Sequence, residues 1–169
     1  MITVSQADER LLLAMLTRRR PLLDALMRVV TKLGNVEVIA PITLTVALGA
    51  VDGLTRAGVV AAWSLALSHL VVQVAKRSIC RERPRLPVGL GFLIVPEDRF
   101  SLPSGHATAG LSVALPLGLA LGGPLGALVV LLGLTVGVSR CYLGVHYPTD
   151  VLAGWSLAAL SVAAAAILI

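Results

Sequence analysis

Apolar residues occur along this chain in long runs separated by shorter polar or charged stretches. Five of these runs approach the length that a membrane-crossing helix needs, which is roughly 20 residues. The runs cover residues 36–51, 57–75, 104–121, 125–138 and 149–169. The pattern predicts an all-α, multi-pass transmembrane helix bundle with five to six spans.

The N-terminal region has a different pattern. Apolar residues recur at helical spacing on one face of residues 5–18, so this segment is predicted to form an amphipathic helix lying in the membrane interface. The apolar face comprises Leu11, Leu12, Met15 and Leu16. A second helix is expected to begin at Pro21 and to end near Gly34. Its charged residues leave open whether it crosses the membrane.

Composition agrees with this interpretation. The 169 residues are 57% hydrophobic and only 14% charged, whereas soluble domains carry about a quarter charged residues. A chain of this length has no room for a separate soluble domain beside five spans, so residues 1–169 are predicted to form one membrane-embedded domain. The 16 glycines and 4% aromatic residues suit closely packed helices better than a membrane β-barrel.

The formal net charge of +5 comes from basic residues that stand at the ends of the apolar runs. This placement indicates lipid headgroups and phosphates as partners, and not nucleic acid. With five crossings, the N-terminal region and the loops 77–103 and 140–148 share one side of the membrane. The positive-inside rule would make that side cytoplasmic. Some of these cations are themselves candidate phosphate ligands, so the membrane face stays open.

Three polar clusters interrupt the apolar pattern, all on that side. The middle cluster is Pro103, Ser104, Gly105 and His106, at the start of an apolar helix. Ser104 can cap the helix and Gly105 lets a ligand approach the backbone, so free N–H groups could cradle a phosphate. The alternative is an ordinary helix start with an incidental histidine.

A second cluster places His146 four residues before Asp150. A carboxylate at that distance can accept a proton from one imidazole nitrogen and leave the other nitrogen free as a nucleophile. The alternative is that Asp150 only complements the helix dipole and that His146 is an interfacial loop residue.

Basic residues supply the third element. Lys76, Arg83 and Arg140 come from different segments and could converge on one dianion. Phosphoryl transfer requires such convergence, because its transition state spreads negative charge over the phosphoryl oxygens. The alternative is the ordinary positive charge bias of membrane proteins. The other basic residues of this region are interpreted as surface or headgroup charges: Arg77, Arg81, Arg85 and Arg99.

Together, these residues form three motifs in order: Lys76, six residues, Arg83-Pro84; Pro103-Ser104-Gly105-His106; and Ser139-Arg140, five residues, His146, three residues, Asp150. This arrangement resembles the three-part signature of the type 2 phosphatidic acid phosphatase superfamily, which includes bacterial acid phosphatases and vanadium haloperoxidases. The strongly apolar composition favours the membrane-embedded bacterial lipid phosphatase branch.

The resemblance implies a role for each matched residue. His146 would attack phosphorus and form a phosphohistidine, Asp150 would orient it, and His106 would protonate the leaving alkoxide and later activate water. The residues implied in holding the phosphoryl oxygens are Lys76, Arg83, Ser104, the Gly105 backbone and Arg140. The resemblance implies no metal and no other cofactor.

The expected activity is therefore hydrolysis of a phosphomonoester or pyrophosphate on a lipid, at the headgroup level of the cell membrane. Candidate substrates are phosphatidic acid, phosphatidylglycerol phosphate and undecaprenyl pyrophosphate, with residues 86–100 expected to set headgroup preference. Two alternatives stay open. One is a lipid phosphotransferase that uses the same phosphohistidine, and the other is a non-catalytic membrane scaffold or transporter.

Other polar residues receive structural interpretations. His69 is expected to be buried and hydrogen-bonded, although its spacing from Lys76 allows a polar stripe toward the site. Asn35 is interpreted as a capping or interfacial group. Cys80 and Cys141 have no metal-ligand spacing and are interpreted as free thiols, with a disulfide between them left open. The oligomeric state is not predicted.

Overall fold

The computed structural model describes residues 4–169, with side chains from residue 6 onward, and these residues form seven α-helices without any strand. The helices are α1 (Val4–Leu16), α2 (Pro21–Val30), α3 (Val36–Ala47), α4 (Thr55–Ile79), α5 (Gly105–Leu121), α6 (Gly123–Tyr142) and α7 (Pro148–Leu168). A 3₁₀ turn, Thr31–Gly34, joins α2 to α3. The prediction of an all-α bundle is confirmed.

Helix α5 is the centre of the bundle and packs against α4, α6 and α7. Small residues allow it to approach α6 closely. A Cβ atom on Gly126 would lie 2.1 Å from the carbonyl oxygen of Gly118, and one on Gly133 would lie 2.9 Å from that of Gly110. Side chains at these positions would therefore force the two helices apart.

Three helices, α4, α6 and α7, have the length and hydropathy of membrane spans. The segment Pro21–Gly34 and helix α3 together could form a fourth, but they bend by 53° at the break between them. Helix α5 has only 17 residues. The predicted count of five to six spans is therefore not confirmed, because the structure supports three or four by length and composition. The difference arises mainly because α3, at 12 residues, reaches only about 18 Å.

The predicted N-terminal amphipathic helix is present as α1. Leu12 and Leu16 are buried on its inner face, where they pack with Ala107, Cys141 and Val151 of the bundle. Part of the predicted apolar face therefore contacts protein. This packing fixes α1 beside the loops that carry the polar motifs.

Candidate active site

The loop 80–104, the loop 143–147 and the α1–α2 connection meet at one end of the bundle. The guanidinium of Arg19 donates hydrogen bonds to the carbonyl oxygens of Tyr142 at 2.9 Å and Gly91 at 2.7 Å. The backbone N–H of Leu93 donates to the carbonyl oxygen of Leu143 at 3.1 Å. The segments that the sequence predicted to share one side are thus in contact.

His146 lies in the short loop between α6 and α7 and is almost completely buried. Its Nε2 atom is 3.3 Å from Nη1 of Arg83, and its Nδ1 atom is 3.5 Å from Oδ2 of Asp150. A guanidinium can only donate hydrogen bonds, so Nε2 carries the lone pair and Nδ1 carries the proton. Burial lowers the pKa of His146 to about 4, against an opposing effect of Asp150. The imidazole is therefore neutral at neutral pH.

Asp150 is fully buried in the first turn of α7 and is held from several directions. Its Oδ2 atom accepts a hydrogen bond from the backbone N–H of Tyr147 at 2.8 Å. Its Oδ1 atom accepts one from Arg81 at 2.7 Å. Arg81 also pairs with Asp8 of α1 at 2.7 Å, and Asp8 accepts a hydrogen bond from the backbone N–H of Thr149 at 3.0 Å. The carboxylate next to His146 is thus tied to the N-terminal helix.

His106 lies in the first turn of α5 and has the opposite hydrogen-bond pattern. Its Nε2 atom is 2.8 Å from Oδ1 of Asn35 and 3.1 Å from Oε1 of Glu97. Both of these oxygens are acceptors, so Nε2 of His106 carries a proton. The two site histidines therefore present a protonated nitrogen in one case and a lone pair in the other.

The three candidate cations are each paired with an oxygen acceptor. Lys76 lies 2.5 Å from Oδ2 of Asp98, and Arg83 lies 2.9 Å from its Oδ1. Arg140 is buried and contacts Glu97 at 3.5 Å. Partial burial by itself raises the pKa of the Asp98 carboxyl, but Lys76 and Arg83 more than offset this and hold it below its usual range. Asp98 is therefore ionised at neutral pH.

The middle motif lies beside these groups. Ser104 is fully buried, accepts the capping contact from the backbone N–H of Ala107 at 3.5 Å, and donates its own N–H to the carbonyl oxygen of Asp150 at 3.0 Å. Gly105 lines a cavity, and a Cβ atom there would meet Val72 only at 3.8 Å. Space is therefore present at the start of α5, while phosphate binding by Ser104 and Gly105 stays a prediction.

Sequence reasoning missed several residues of this cluster. Arg81 was interpreted as a surface charge, which is wrong because it bridges two buried carboxylates. Asn35 makes no side-chain cap and instead contacts His106. The position of Asn35 next to a predicted helix start favoured a capping role, so the sequence did not indicate its contact with His106. Asp8 carried a signal, because it precedes Leu12 by four residues and so shares the inner face of α1.

His69 and the two cysteines lie outside this cluster of paired groups. His69 was expected to be buried, but it is exposed on the wall of the cavity, so that prediction is wrong. Cys80 and Cys141 are free thiols, the first exposed and the second buried. Within residues 4–169, no group of three or more His, Cys, Asp or Glu side chains is arranged to hold a metal ion.

These features define a multi-pass helical membrane protein with a basic site that contains two buried histidines. The sequence pattern of the PAP2 superfamily matches residues 57–169. This match covers more than half of the chain, and the chain belongs to that superfamily.

Individual relatives agree with this assignment. Phosphatidylglycerophosphatase B of Bacillus subtilis is 31% identical over 93% of this chain and 80% of its own length. Decaprenylphosphoryl-5-phosphoribose phosphatase of Mycolicibacterium smegmatis is 41% identical over 52% of this chain, and the matched part spans only 47% of that relative. The crystal structure of a transmembrane PAP2-type phosphatidylglycerolphosphate phosphatase from Bacillus subtilis superposes with a TM-score of 0.82 and 29% identity, covering 98% of this chain and 85% of that one.

Proposed function

We propose that this protein is a lipid phosphatase that hydrolyses a phosphomonoester or pyrophosphate through a phosphohistidine. One observation carries the proposal: a lone pair on Nε2 of His146 and a proton on Nε2 of His106 lie in the same cluster as three cations. A nucleophile and a general acid need these opposite states, and phosphoryl transfer needs the cations.

In the first step, Nε2 of His146 forms a bond to phosphorus as the bond from phosphorus to the leaving oxygen breaks. The electron pair of that bond goes to the oxygen, which takes the proton from Nε2 of a His106 imidazolium and leaves that ring neutral. Burial and the neighbouring cations lower the pKa of His106 to about 3 in the free site, so the charged ring depends on the bound phosphate dianion, which favours it. Asp150 accepts a hydrogen bond from Nδ1–H of His146 and stabilises the positive charge that develops on the ring. The 3.5 Å separation is long for a hydrogen bond, and such contacts commonly tighten when substrate binds.

In the second step, His106 removes a proton from water as the water oxygen attacks the phosphohistidine. The phosphorus–nitrogen bond breaks, its electron pair returns to Nε2 of His146, and inorganic phosphate leaves. Lys76, Arg83 and Arg140 stabilise the phosphoryl oxygens in both steps. For this to happen, the phosphoryl oxygens must take over the positions that Asp98 and Glu97 occupy on these cations.

The surroundings of the site favour a lipid as the substrate. A cavity of about 820 Å³ runs from Lys76 and His106 between α3 and α4, and most of its wall is apolar. Its volume is in the range of a site for a small ligand or lipid headgroup. The names of the relatives describe phosphatases of phosphatidylglycerol phosphate and of a decaprenyl-linked sugar phosphate, which supports the same substrate class here.

The direct test is to trap the covalent intermediate. Purified protein is mixed with phosphatidic acid that carries a radioactive phosphate, and quenched in alkali, which preserves phosphohistidine. We expect labelled wild-type protein and His106→Gln protein, and no label on His146→Gln. An Arg85→Gln variant serves as the matched control, because the side chain of Arg85 is exposed and pairs with Glu82 at the surface.

The outcome separates the mechanisms. Phosphate release that survives in His146→Gln at more than a tenth of the wild-type rate would contradict the phosphohistidine. Absence of release from phosphatidic acid, phosphatidylglycerol phosphate and undecaprenyl pyrophosphate alike would contradict the phosphatase itself.

A further inference from the structure

Helix α4 carries a polar strip along the wall of the cavity described above. Lys76 and His106 form part of the wall at the end near the candidate active site, and Gln73 and His69 follow Lys76 down α4. Both lie within a helix that has the length and hydropathy of a membrane span. Polar residues within spans are costly to place in lipid and usually mark the path of a substrate or an ion.

Most of the wall contributed by α3 and α4 is apolar, with Glu37 and Thr43 as the polar residues of α3, as expected for a surface that receives a lipid tail. The neighbouring wall residues include Val36, Ile39, Ala40, Leu44, Leu65 and Val72. His69 and Gln73 are therefore hydrogen-bond donors on a mostly apolar surface, whereas the hydroxyl of Thr43 already donates to the carbonyl oxygen of Ile39. Their own contact, between Nε2 atoms 3.5 Å apart, is at the limit of a hydrogen bond.

The spacing of the strip can be related to the phosphate position. His69, Gln73 and Lys76 recur at four and three residues, so they lie on one face of α4. At 1.5 Å per residue, Gln73 lies about 4.5 Å and His69 about 10 Å from Lys76 along the helix axis. All three side chains can donate hydrogen bonds. A lipid whose phosphate is bound at Lys76 would therefore meet two further donors within the first atoms of its headgroup or backbone.

We propose that Gln73 and His69 determine substrate specificity by donating hydrogen bonds to oxygen acceptors of a glycerol-based lipid phosphate, close to the phosphate that is cleaved. This inference rests on the proposed phosphatase function and narrows its substrate class. The acceptors have two possible sources, the ester carbonyls of a diacylglycerol and an internal phosphodiester. Glu37 lines the same cavity from α3 and, as an acceptor, suits a glycerol hydroxyl.

A polyprenyl phosphate lacks such acceptors, because hydrocarbon begins directly after its phosphate oxygen. It would place an isoprene unit against Gln73 and His69 and leave their donors without a ligand partner. The strip therefore favours glycerol-based substrates over polyprenyl monophosphates.

The test measures kcat/KM in detergent micelles for three probes. Dioctanoyl phosphatidylglycerol phosphate offers an internal phosphodiester and ester carbonyls, dioctanoyl phosphatidic acid offers the carbonyls alone, and geranylgeranyl phosphate offers neither. The variants are His69→Leu and Gln73→Leu, with His69→Gln as the conservative replacement that retains donors. The matched control is Thr135→Val, since the hydroxyl of Thr135 on α6 donates to the carbonyl oxygen of Leu131 away from the cavity.

We expect each leucine variant to lower kcat/KM about tenfold where the lost acceptor is the charged phosphodiester and about fivefold where it is a neutral ester carbonyl, mainly through KM. Activity on geranylgeranyl phosphate should change less than about twofold. A loss on both glycerol probes identifies the ester carbonyls as acceptors, and a loss on phosphatidylglycerol phosphate alone identifies the internal phosphodiester. His69→Gln should recover much of the loss.

Two results would overturn the proposal. One is an equal loss on all three probes, which would indicate a structural role, and the other is the absence of a loss on either glycerol-based probe. Because the readout is a ratio within one variant, partial unfolding does not imitate the expected result. Wild-type protein that cleaves none of the probes would contradict the proposed function instead.

Discussion

Two groups of carboxylates surround the candidate active site, and they differ in burial. Asp150 and Asp8, which flank Arg81, have side chains that are 0% and 2% exposed. Asp98 and Glu97, which contact the candidate phosphate-binding cations, are 40% and 56% exposed. A buried ion pair is strongly destabilised when one partner is removed, whereas exposed pairs contribute little. Asp150 and Asp8 are therefore expected to keep their ion pairs with Arg81, whereas Asp98 and Glu97 can exchange their partners for a phosphate.

The elements that carry these carboxylates explain the difference. Asp8 belongs to α1 and Asp150 to α7, so packed helices fix both. Asp98 and Glu97 belong to the loop 80–104, in which the regular pairing is one isolated bridge between Glu82 and Phe100. A nucleophile must be oriented closely, and phosphate-binding cations must become available to substrate. We call Asp8, Asp150 and Arg81 the buried half of the site, and Glu97 and Asp98 with their cations the exposed half. The buried half orients the nucleophile, and the exposed half can release its cations to substrate.

The largest effect is expected from breaking the buried half. Arg81→Gln leaves two buried carboxylates without their shared cation and loosens the orientation of Asp150 and His146. We expect kcat for phosphatidic acid to fall about 100-fold with KM within about threefold, since loss of an orienting partner typically has effects of 10- to 100-fold. Arg85→Gln, in the same loop but at the surface, should change neither constant.

Asp8→Asn extends this test, because it removes charge from the far side of Arg81 without touching the histidines. It should lower kcat in the same direction as Arg81→Gln but less. A rise in KM with unchanged kcat in either variant would show that Arg81 acts on substrate binding and not on the nucleophile.

Removing a carboxylate from the exposed half should strengthen phosphate binding, whereas breaking the buried half should weaken catalysis. Asp98→Asn removes the charge that competes for Lys76 and Arg83, so inorganic phosphate should bind more tightly. We expect its inhibition constant to fall about tenfold with kcat little changed, which corresponds to about 1.4 kcal/mol of binding free energy. Because the pKa of the Asp98 carboxyl is below its usual range, the competition in wild-type protein should persist into mildly acidic buffer.

Glu82→Gln is the matched control for Asp98→Asn, since Glu82 lies in the same loop and pairs with Arg85 at the surface. An inhibition constant for phosphate that is unchanged or higher in Asp98→Asn would contradict the exchange of partners. Asp8→Asn should leave this constant unchanged, which separates the two halves in one experiment.

The sequence predicted the parts of this site that depend on local pattern. Apolar runs located α3 to α7 closely, and residue spacing selected His106, His146 and Asp150 as candidate site residues. It did not predict contacts that irregular backbone brings together over distance. Asp98 reaches Lys76 across 22 positions, and Arg140 reaches Glu97 across 43.

The ion pair between Arg81 and Asp8 depends on helix packing and was not predicted. The pairing of Arg81 with Asp8 spans 73 positions and depends on how α1 docks, which its amphipathic pattern alone does not specify. The predicted span count is not confirmed for a related reason, since an apolar run does not show where a helix ends or where the backbone bends. The run at residues 36–51 contains a helix of only 12 residues, and this helix meets the segment Pro21–Gly34 at a bend of 53°.

A smaller effect is expected at the general acid. The Oδ1 atom of Asn35 lies 2.8 Å from Nε2 of His106 and helps to keep its proton directed into the site. Asn35→Leu removes this acceptor and should lower kcat about fivefold, in line with one hydrogen bond of about 1 kcal/mol. Asn35→Asp keeps an acceptor and should retain most of the activity. Equal losses in both variants would indicate that the contact does not act through hydrogen bonding.

The smallest perturbation is a titration that leaves the protein intact. The chain has three histidines, so selectively ¹⁵N-labelled imidazoles can be followed by NMR in detergent, with His146→Gln identifying the resonance. Burial lowers the pKa of His146 from 6.5 to about 4, so its midpoint should fall near pH 4. Between those values the unfolded chain binds more protons than the folded one, and the free energy of unfolding should therefore increase with pH across that window.

Asp150 in the buried half and Arg83 in the exposed half have opposite effects on the pKa of His146. Asp150 favours the charged imidazole, so Asp150→Asn should move the midpoint further down. Arg83 disfavours it, so Arg83→Gln should move the midpoint up. A midpoint near 6.5 in wild-type protein would mean that His146 is solvated and free of both neighbours. Because the two shifts have opposite signs, a general loosening of the fold, which would move both midpoints toward 6.5, cannot produce them.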